Sequence, residues 1–248
     1  MKIIGILPLN FNNIPIPFKH NGTVIAPKPK PLLDGFASNP LYDKLGTKLE
    51  IEATIKTNPR IKEILDNHSI PITVNIKELE NLKKEHLSNT RILTAKIYSA
   101  LPENLKNDVD LQSLQEAALL HDFGKVLIPI NILNKKGKLT DSERKIMELH
   151  SELGYELLKN KDLNEKTLKL IKYHHQNLKG NGYPSIEKDF NFGIEAQILN
   201  VADKYAALRE KRCYKNTLGK YEALEIIAND VSNGLISQDV YTALVHAV

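Results

Sequence analysis

The sequence HDFGK at residues 121–125 places an imidazole beside a carboxylate at the end of a segment with helical periodicity. A His-Asp pair alone occurs close to chance. Here further imidazole and carboxylate groups follow, each in or beside another helical segment: His150, His174, His175 and Asp203. A carboxylate on an apolar helix face, as at Asp203, is costly unless it has a partner. The pattern predicts that His121, Asp122 and these later residues meet around metal ions inside a helical bundle.

Two short sequences near these residues are suited to phosphate. Gly124-Lys125 follows the His-Asp pair after one intervening residue, Phe123, and Gly180-Asn181-Gly182-Tyr183-Pro184 follows the paired histidines. Glycine lets a backbone approach a ligand closely or adopt a positive φ. Together with the metal-binding residue types, these sequences predict a metal-dependent phosphohydrolase.

The residue types also indicate how the ligands would be divided between two metal ions. Neutral imidazoles and carboxylates suit divalent iron, manganese, cobalt or zinc. A carboxylate can bridge two ions, and Asp122 is the natural bridge because it adjoins His121. One ion would bind His121, Asp122 and Asp203, and the other would bind Asp122 with His150, His174 and His175. Two ions about 3.5–4 Å apart can lower the pKa of a bridging water and hold phosphoryl oxygens for in-line attack.

Composition limits the remaining classes of function. The chain has 248 residues, of which 42% are hydrophobic, and this is enough for one large domain or two modest ones. Its net charge of +4 suits an anionic substrate but is too small and too evenly spread to indicate a nucleic acid polymer. Cys213 is the single cysteine, so no internal disulfide is expected. No apolar run approaches the roughly 18 residues of a membrane span, so we expect a cytoplasmic protein.

Proline divides the chain into two parts. Nine of the twelve prolines precede residue 72, and residues 1–76 are predicted to form a small α+β or irregular module. Short strands are predicted at 3–7, 23–26 and 49–55, and a short helix is predicted to begin after Asn58, at Pro59. We expect this module to serve in packing, as a homodimer contact, or as a sensor for a signalling partner.

Residues 77–248 instead show helical periodicity and form the predicted phosphohydrolase domain. Thr140 and Glu143 have the spacing of a capping box that opens one helix. The fold class predicted for the chain is mainly α. The predicted helices cover residues 77–100, 111–125, 141–157, 164–175, 195–208, 220–229 and 237–247.

The order and spacing of these motifs resemble the HD-GYP family over roughly residues 80–248. The first matching block is HDFGK with Ile128-Pro129, which leads through Gly137 and Glu143 to His150. The second is His174-His175 with the Gly-Asn-Gly-Tyr-Pro sequence. The third runs from Ala202-Asp203-Lys204-Tyr205 to Arg212 and Lys215. The resemblance implies a helical bundle of the HD superfamily that hydrolyses cyclic di-GMP at a metal centre, commonly of iron or manganese.

The resemblance further implies which residues contact substrate. Lys125 would reach a phosphate, and Gly182 and Tyr183 would line the pocket near the scissile phosphate. Arg212 and Lys215 would grip phosphate or guanine, since the arginine side chain can donate a paired fork of hydrogen bonds. The catalytic roles fall on Asp122 and Lys125.

The resemblance also implies an earlier metal-binding histidine, followed three residues later by arginine. Counting back from Arg91 reaches Ser88, whereas helix phase favours His86. His86 shares its predicted face with Leu79, Leu82, Leu93 and Ile97. We therefore predict His86 as a ligand, with Ser88 as the alternative. Some members bind a third metal through a glutamate one turn earlier, but Leu82 stands there, so two divalent ions are predicted.

Three positions depart from the family pattern. Gln176 and Lys179 replace a glutamate and an aspartate in the loop, and Ala206 replaces a second aspartate after Asp203. We expect altered loop contacts and an intact metal centre. The predicted function is a cyclic di-GMP phosphodiesterase that yields pGpG or GMP. The alternatives are a non-catalytic cyclic di-GMP receptor and a phosphohydrolase acting on another nucleotide.

Overall fold

The computed structural model describes residues 46–82, 86–186, 190–210 and 217–248, with the backbone alone at residues 79, 82 and 86–88. These described residues form helices and no strands. The predicted mainly α fold is therefore confirmed. The strands predicted at 3–7 and 23–26 lie outside the described residues.

The first two helices are α1, Lys48–Thr57, and α2, Pro59–Asn67. The strand predicted at 49–55 is wrong. Thr47 Oγ1 accepts a hydrogen bond from the Glu50 N–H at 3.3 Å, and the Glu50 carboxylate accepts one from the Thr47 N–H at 2.6 Å. This capping box opens a helix whose buried residues, Ile51 and Ile55, are one turn apart. The helix predicted to begin at Pro59 is confirmed, with Asn58 as its N-cap.

The rest of the described chain is a series of helices. Their bounds are α3 Ile76–Leu82, α4 His86–Ala100, α5 Glu103–Lys106, α6 Leu111–Leu120, a 3₁₀ helix Phe123–Leu127, α7 Ile130–Leu133, α8 Asp141–Leu158, α9 Glu165–Tyr173, α10 Ile194–Arg209, α11 Lys220–Ser232 and α12 Gln238–Ala247. The Gly-Tyr-Pro sequence lies in the segment between α9 and α10. Helices α3 and α4 cover the described part of the helix predicted over 77–100, and residues 83–85 between them lie outside the described residues. The capping box predicted for α8 is confirmed, since Thr140 and Glu143 exchange hydrogen bonds of 3.2 and 2.7 Å.

The bundle is organised around α4, which packs against α6, α10 and α12. Helix α9 joins this group to α8, because it contacts both α6 and α8. Fully buried side chains from four helices fill the centre: Ile97, Leu114, Ile198 and Leu244. The N-terminal helices pack on α8, where Asn58 Nδ2 donates to the Glu156 carboxylate at 2.8 Å. The separate role expected for residues 1–76 stays a prediction.

The helix predicted over 111–125 ends earlier than expected. Helix α6 stops at Leu120, and the chain turns at residues 121 and 122 into the 3₁₀ helix. The 3₁₀ helix lies directly on α8, where a Cβ atom at Gly124 would be 1.9 Å from the carbonyl oxygen of His150. This close backbone approach sets the His-Asp turn against the middle of α8. No helix in the described part of the chain has the length and apolar character that a membrane crossing requires.

Candidate metal centre

Four separate parts of the fold bring imidazole and carboxylate groups to one point. His121 and Asp122 come from the turn after α6, and His150 comes from the middle of α8. The paired histidines 174 and 175 follow α9, and Asp203 lies on α10. All six predicted residues of this set converge at the centre of the bundle, which we call the donor cluster.

Distances between the donor atoms are short and similar. His121 Nε2 lies 3.5 Å from Asp122 Oδ2 and 3.4 Å from Asp203 Oδ1. His150 Nε2 lies 3.5 Å from Asp122 Oδ1 and 3.2 Å from the Nε2 atoms of both His174 and His175. Asp122 therefore stands between the two halves of the cluster, with one carboxylate oxygen facing each.

Backbone carbonyl groups orient three of the imidazoles. The Nδ1 atoms of His121, His150 and His174 lie 3.0, 2.7 and 2.7 Å from the carbonyl oxygens of Ala118, Met147 and Ile171. A carbonyl oxygen can only accept a hydrogen bond, so this geometry assigns the proton to Nδ1 in each ring. The Nε2 atoms then face the centre, as in metal-binding histidines held by a second hydrogen bond.

The donor cluster fits a metal ion. In this tautomer the Nε2 atoms of His150 and His174 carry lone pairs that face each other across 3.2 Å. Two such lone pairs repel unless a cation lies near both. Donor atoms bonded to one ion at about 2.0–2.2 Å are about 3.0–3.5 Å apart, and the spacings in the cluster fall in that range. Imidazole and carboxylate donors together are typical of transition-metal sites.

Burial makes most of these imidazoles neutral. It lowers the pKa of His150 to about 4 and of His175 to about 3, and the pKa of His174 falls well below its usual value. Burial also lowers the pKa of His121, but the Asp122 and Asp203 carboxylates outweigh it and raise the pKa to about 9. Neutral imidazoles can bind a cation directly, whereas binding through His121 would displace a proton.

These shifts predict that the metal-free protein loses stability in acid. The unfolded chain binds protons at these histidines below about pH 6.5, whereas folded His150 stays neutral down to about pH 4. Stability is therefore present above pH 6.5 and falls as the pH drops, by about 1 kcal/mol per pH unit for each such imidazole. The raised pKa of His121 acts oppositely, since its contribution is present below pH 6.5 and is lost as the pH rises through about 9.

Urea unfolding of chelator-treated protein between about pH 6.5 and pH 4 measures this slope. We expect His150→Gln to make the dependence of stability on pH less steep. His246→Gln, at an exposed residue near the C-terminus, should leave that dependence unaltered. Equal slopes in the wild type and the His150 variant would contradict the assignment of neutral buried imidazoles.

The donor cluster opens onto a cleft of about 520 Å³. His150, His175 and Asp203 line it, together with Lys125 and Tyr183. Lys125 Nζ lies 2.7 Å from Asp122 Oδ2, so its ammonium group is at the mouth of the cluster. A substrate in the cleft would thus contact both the metal-binding groups and a cation.

The Gly-Tyr-Pro loop packs directly on the paired histidines. A Cβ atom at Gly182 would lie 2.2 Å from the His175 carbonyl oxygen, so only glycine fits there. The Tyr183 ring centroid is 4.5 Å from that of His175. Burial raises the pKa of Tyr183 far above its usual value, so the phenol keeps its proton and remains a hydrogen-bond donor.

Gln176 holds this loop in place through two side-chain hydrogen bonds. Its side-chain oxygen accepts from the Gly182 N–H at 3.1 Å, and its amide nitrogen donates to the Pro184 carbonyl. The side chain is fully buried. An ionised carboxylate at this position has no proton to donate to Pro184, so the amide makes a contact that the glutamate implied by the resemblance could not make.

The side chains of several predicted residues are not described by the structure. His86 is the first residue of α4, but its side chain, like that of Ser88, is not described. Arg212 and Lys215 lie outside the described residues. The roles predicted for His86, Arg212 and Lys215, and the alternative at Ser88, stay predictions.

Three residues beside the cluster were not predicted from the sequence. Asn200 Nδ2 donates to the backbone oxygens of His174 and Gln176 at 2.9 and 3.1 Å, which holds the paired histidines. Its place one turn before Asp203 was a usable signal, because residues three apart share a helix face. Lys204 and Asp230 also line the cleft. No pattern in the sequence indicates that these two residues form an ion pair.

Comparison with known proteins agrees with this architecture. The family model described as HD domain matches residues 73–236. The cyclic di-GMP phosphodiesterase response regulator RpfG of Xanthomonas campestris is 38% identical over 112 residues, which cover 44% of this chain and 29% of that protein. The 3'3'-cGAMP-specific phosphodiesterase 2 of Vibrio cholerae is 38% identical over 105 residues, which cover 42% of this chain and 20% of that protein.

A solved structure shares the fold. Bd1817 from Bdellovibrio bacteriovorus, described as a HDG"Y"P protein, superposes with a TM-score of 0.52 at 17% identity, over 85% of this chain and 73% of that chain. The aligned part of this chain spans less than a third of the length of the two curated relatives. Because the family model matches well over half of its residues, the chain belongs to the HD domain family, and its resemblance to the HD-GYP members is confirmed.

Proposed function

We propose that the protein is a metal-dependent phosphodiesterase that hydrolyses cyclic di-GMP to pGpG or GMP. The observation that carries the proposal is the buried donor cluster, which opens onto a cleft beside Lys125 and Tyr183. The name of the Xanthomonas relative supports the same activity. The donor set alone supports metal-assisted hydrolysis, and the relatives support a cyclic dinucleotide as the substrate class.

The cofactor in this proposal is a pair of divalent ions, iron or manganese. We assign one ion to His121, Asp122 and Asp203, with His86 as a further ligand. The other is assigned to Asp122 with His150, His174 and His175. When bound, such ions lower the pKa of a water and stabilise charge on phosphoryl oxygens. The two oxygens of Asp122 face opposite halves of the donor cluster, at 3.5 Å from His121 and from His150, which supports a bridging role.

The remaining roles belong to side chains around the cleft. Lys125 would donate to a phosphate oxygen beside the cluster, where a charged donor makes a strong hydrogen bond. Tyr183, which keeps its proton, would donate to the same phosphate. Arg212 and Lys215 are proposed to grip phosphate or guanine. The cytoplasmic location, and a homodimer contact or signalling partner at residues 1–76, remain predictions from the sequence.

Turnover by metal-loaded protein tests the proposal. Protein prepared without oxygen and loaded with iron or manganese is incubated with cyclic di-GMP, and pGpG and GMP are followed by chromatography. Elemental analysis of the same sample gives the identity and number of the ions. Tight binding of cyclic di-GMP with no product would favour a non-catalytic receptor and contradict the phosphodiesterase.

A second candidate substrate is 3'3'-cGAMP, which contains one guanine and one adenine. The Vibrio cholerae relative that carries this specificity in its name is as similar to the chain, at 38% identity, as the cyclic di-GMP relative. A panel of cyclic di-GMP, 3'3'-cGAMP and cyclic di-AMP separates these activities through the ratio of their kcat/KM values.

Replacing Lys125 with alanine tests its proposed role. We expect kcat for cyclic di-GMP to fall about 100-fold, the scale seen when one donor to a developing charge is removed. Metal content should stay at the wild-type value because an ammonium group cannot bind a cation. Lys138→Ala, at an exposed lysine outside the cleft, should retain wild-type turnover. Loss of metal from the Lys125 variant would show that the side chain supports the cluster and does not act on substrate.

A further inference from the structure

An ion pair on the wall of the cleft has no role in the hydrolysis described above. Lys204, which follows Asp203 on α10, donates through Nζ to Asp230 Oδ2 on α11. Both residues line the cleft. The Lys204 side chain is 38% exposed and that of Asp230 is 16% exposed, so both groups remain accessible to a ligand.

The chemistry of this pair does not suit a phosphate. A partly exposed ion pair adds at most about 1 kcal/mol of stability, so stability alone explains little of its placement. A carboxylate in a cleft for anionic phosphodiesters repels the phosphate groups. The pair as a whole carries no net charge, and it presents acceptor oxygens beside an ammonium donor. This arrangement is complementary to a neutral group with donors and acceptors along one edge.

The surroundings hold Asp230 in place and provide an apolar wall. The Leu235 N–H donates to the Asp230 carbonyl oxygen at 2.9 Å, and the Leu235 carbonyl oxygen accepts from the Leu178 N–H at 3.0 Å. The turn after α11 is thereby tied to the loop that carries Gly182 and Tyr183. Leu235 and Ile236 also line the cleft, and a planar ring can pack against them.

We propose that Asp230 and Lys204 read a purine base of the substrate and favour guanine over adenine; this specificity rests on the proposed function. Guanine presents two adjacent donors, N1–H and the N2 amino group, which the two oxygens of one carboxylate can accept together. Its O6 and N7 atoms are acceptors for a lysine. Adenine has a single amino donor, and its N1 lone pair would face the second carboxylate oxygen.

The test uses equilibrium binding, which does not require turnover. Calorimetry on the manganese-loaded chain of 248 residues measures the Kd of GMP and of AMP. We expect wild-type protein to bind GMP about tenfold more tightly than AMP, within the range for one bidentate base contact. Asp230→Asn keeps the size of the side chain but removes one acceptor, so the ratio of the two Kd values should fall close to one.

Two further variants separate base reading from a structural role. Glu225→Gln changes an exposed carboxylate on the same helix and should keep the wild-type ratio. Lys204→Gln should lower the ratio about threefold, because it removes the charged donor to guanine. Thermal unfolding of each variant shows that it folds. A ratio unchanged in Asp230→Asn, or equal affinity of the wild type for GMP and AMP, would overturn the inference.

Hydrolysis of cyclic di-GMP by the same wild-type preparation distinguishes the two proposals. Product formation without a preference for guanine would contradict the proposed base recognition and support the phosphodiesterase activity. Alternatively, Asp230→Asn could remove a guanine preference while no cyclic dinucleotide yields product. That result would contradict the catalytic proposal and support the base recognition.

Discussion

Asp122→Ala is expected to abolish hydrolysis of cyclic di-GMP and to lower the metal content of the purified protein. Asp122 is almost fully buried and contacts both halves of the donor cluster, so its replacement removes an oxygen donor from each half. Metal ions supply several kcal/mol of stabilisation to the reacting phosphate. We therefore expect turnover to fall by about 1000-fold or more.

Metal analysis and product chromatography on one preparation test this expectation together. Asp66→Ala, at an exposed aspartate of α2, provides a matched control and should retain both metal and activity. Full metal content with wild-type turnover in the Asp122 variant would rule out the bridging role. Full metal content without turnover would instead show that Asp122 acts only on the reaction.

Gly124→Ala should destabilise the fold as well as the site. The added Cβ atom would lie 1.9 Å from the His150 carbonyl oxygen and 2.5 Å from the Gly154 backbone nitrogen. Both contacts are with backbone atoms of α8, so no side chain can move aside to relieve them. Overpacking of this kind costs about 3 kcal/mol or more, which corresponds to a Tm about 10 °C lower for a domain of this size.

Thermal unfolding of metal-free protein measures this loss without the contribution of bound ions. Gly193→Ala is the matched control, because the nearest atom to its added Cβ is the Glu195 carboxylate at 3.7 Å. Its Tm should change little. A Tm of the Gly124 variant equal to that of wild type would mean that the 3₁₀ helix can move away from α8 without cost.

Local sequence signals predicted much of the bundle. The Thr140 and Glu143 pair marked the start of α8, because a capping box depends only on residues three positions apart. The prediction of a strand at 49–55 failed because local helix signals in that segment outweigh its alternating pattern. Its apolar and polar residues alternate roughly, but Thr47 and Glu50 form a capping box and Ile51 and Ile55 share one helix face.

Local signals of this kind did not predict several contacts between distant segments. Leu111–Leu120 ends where it does because the following residues must pack on the backbone of α8, which no pattern within the helix records. The double hydrogen bond of Gln176 depends on how the Gly-Tyr-Pro loop folds back. The Lys204–Asp230 pair likewise exists only because α10 and α11 lie side by side.

The sequence by itself determined the helical class, the helix caps and the types of donor available for a metal. Those properties depend on residue chemistry and on spacing within one helix or one loop. Only the tertiary structure decided the distances between the six donors, which side of the cluster opens to the cleft, and which charged pair lines that cleft. These three properties depend on packing between segments that are distant in sequence. The close backbone approach at Gly124, for example, sets the position of groups on separate helices.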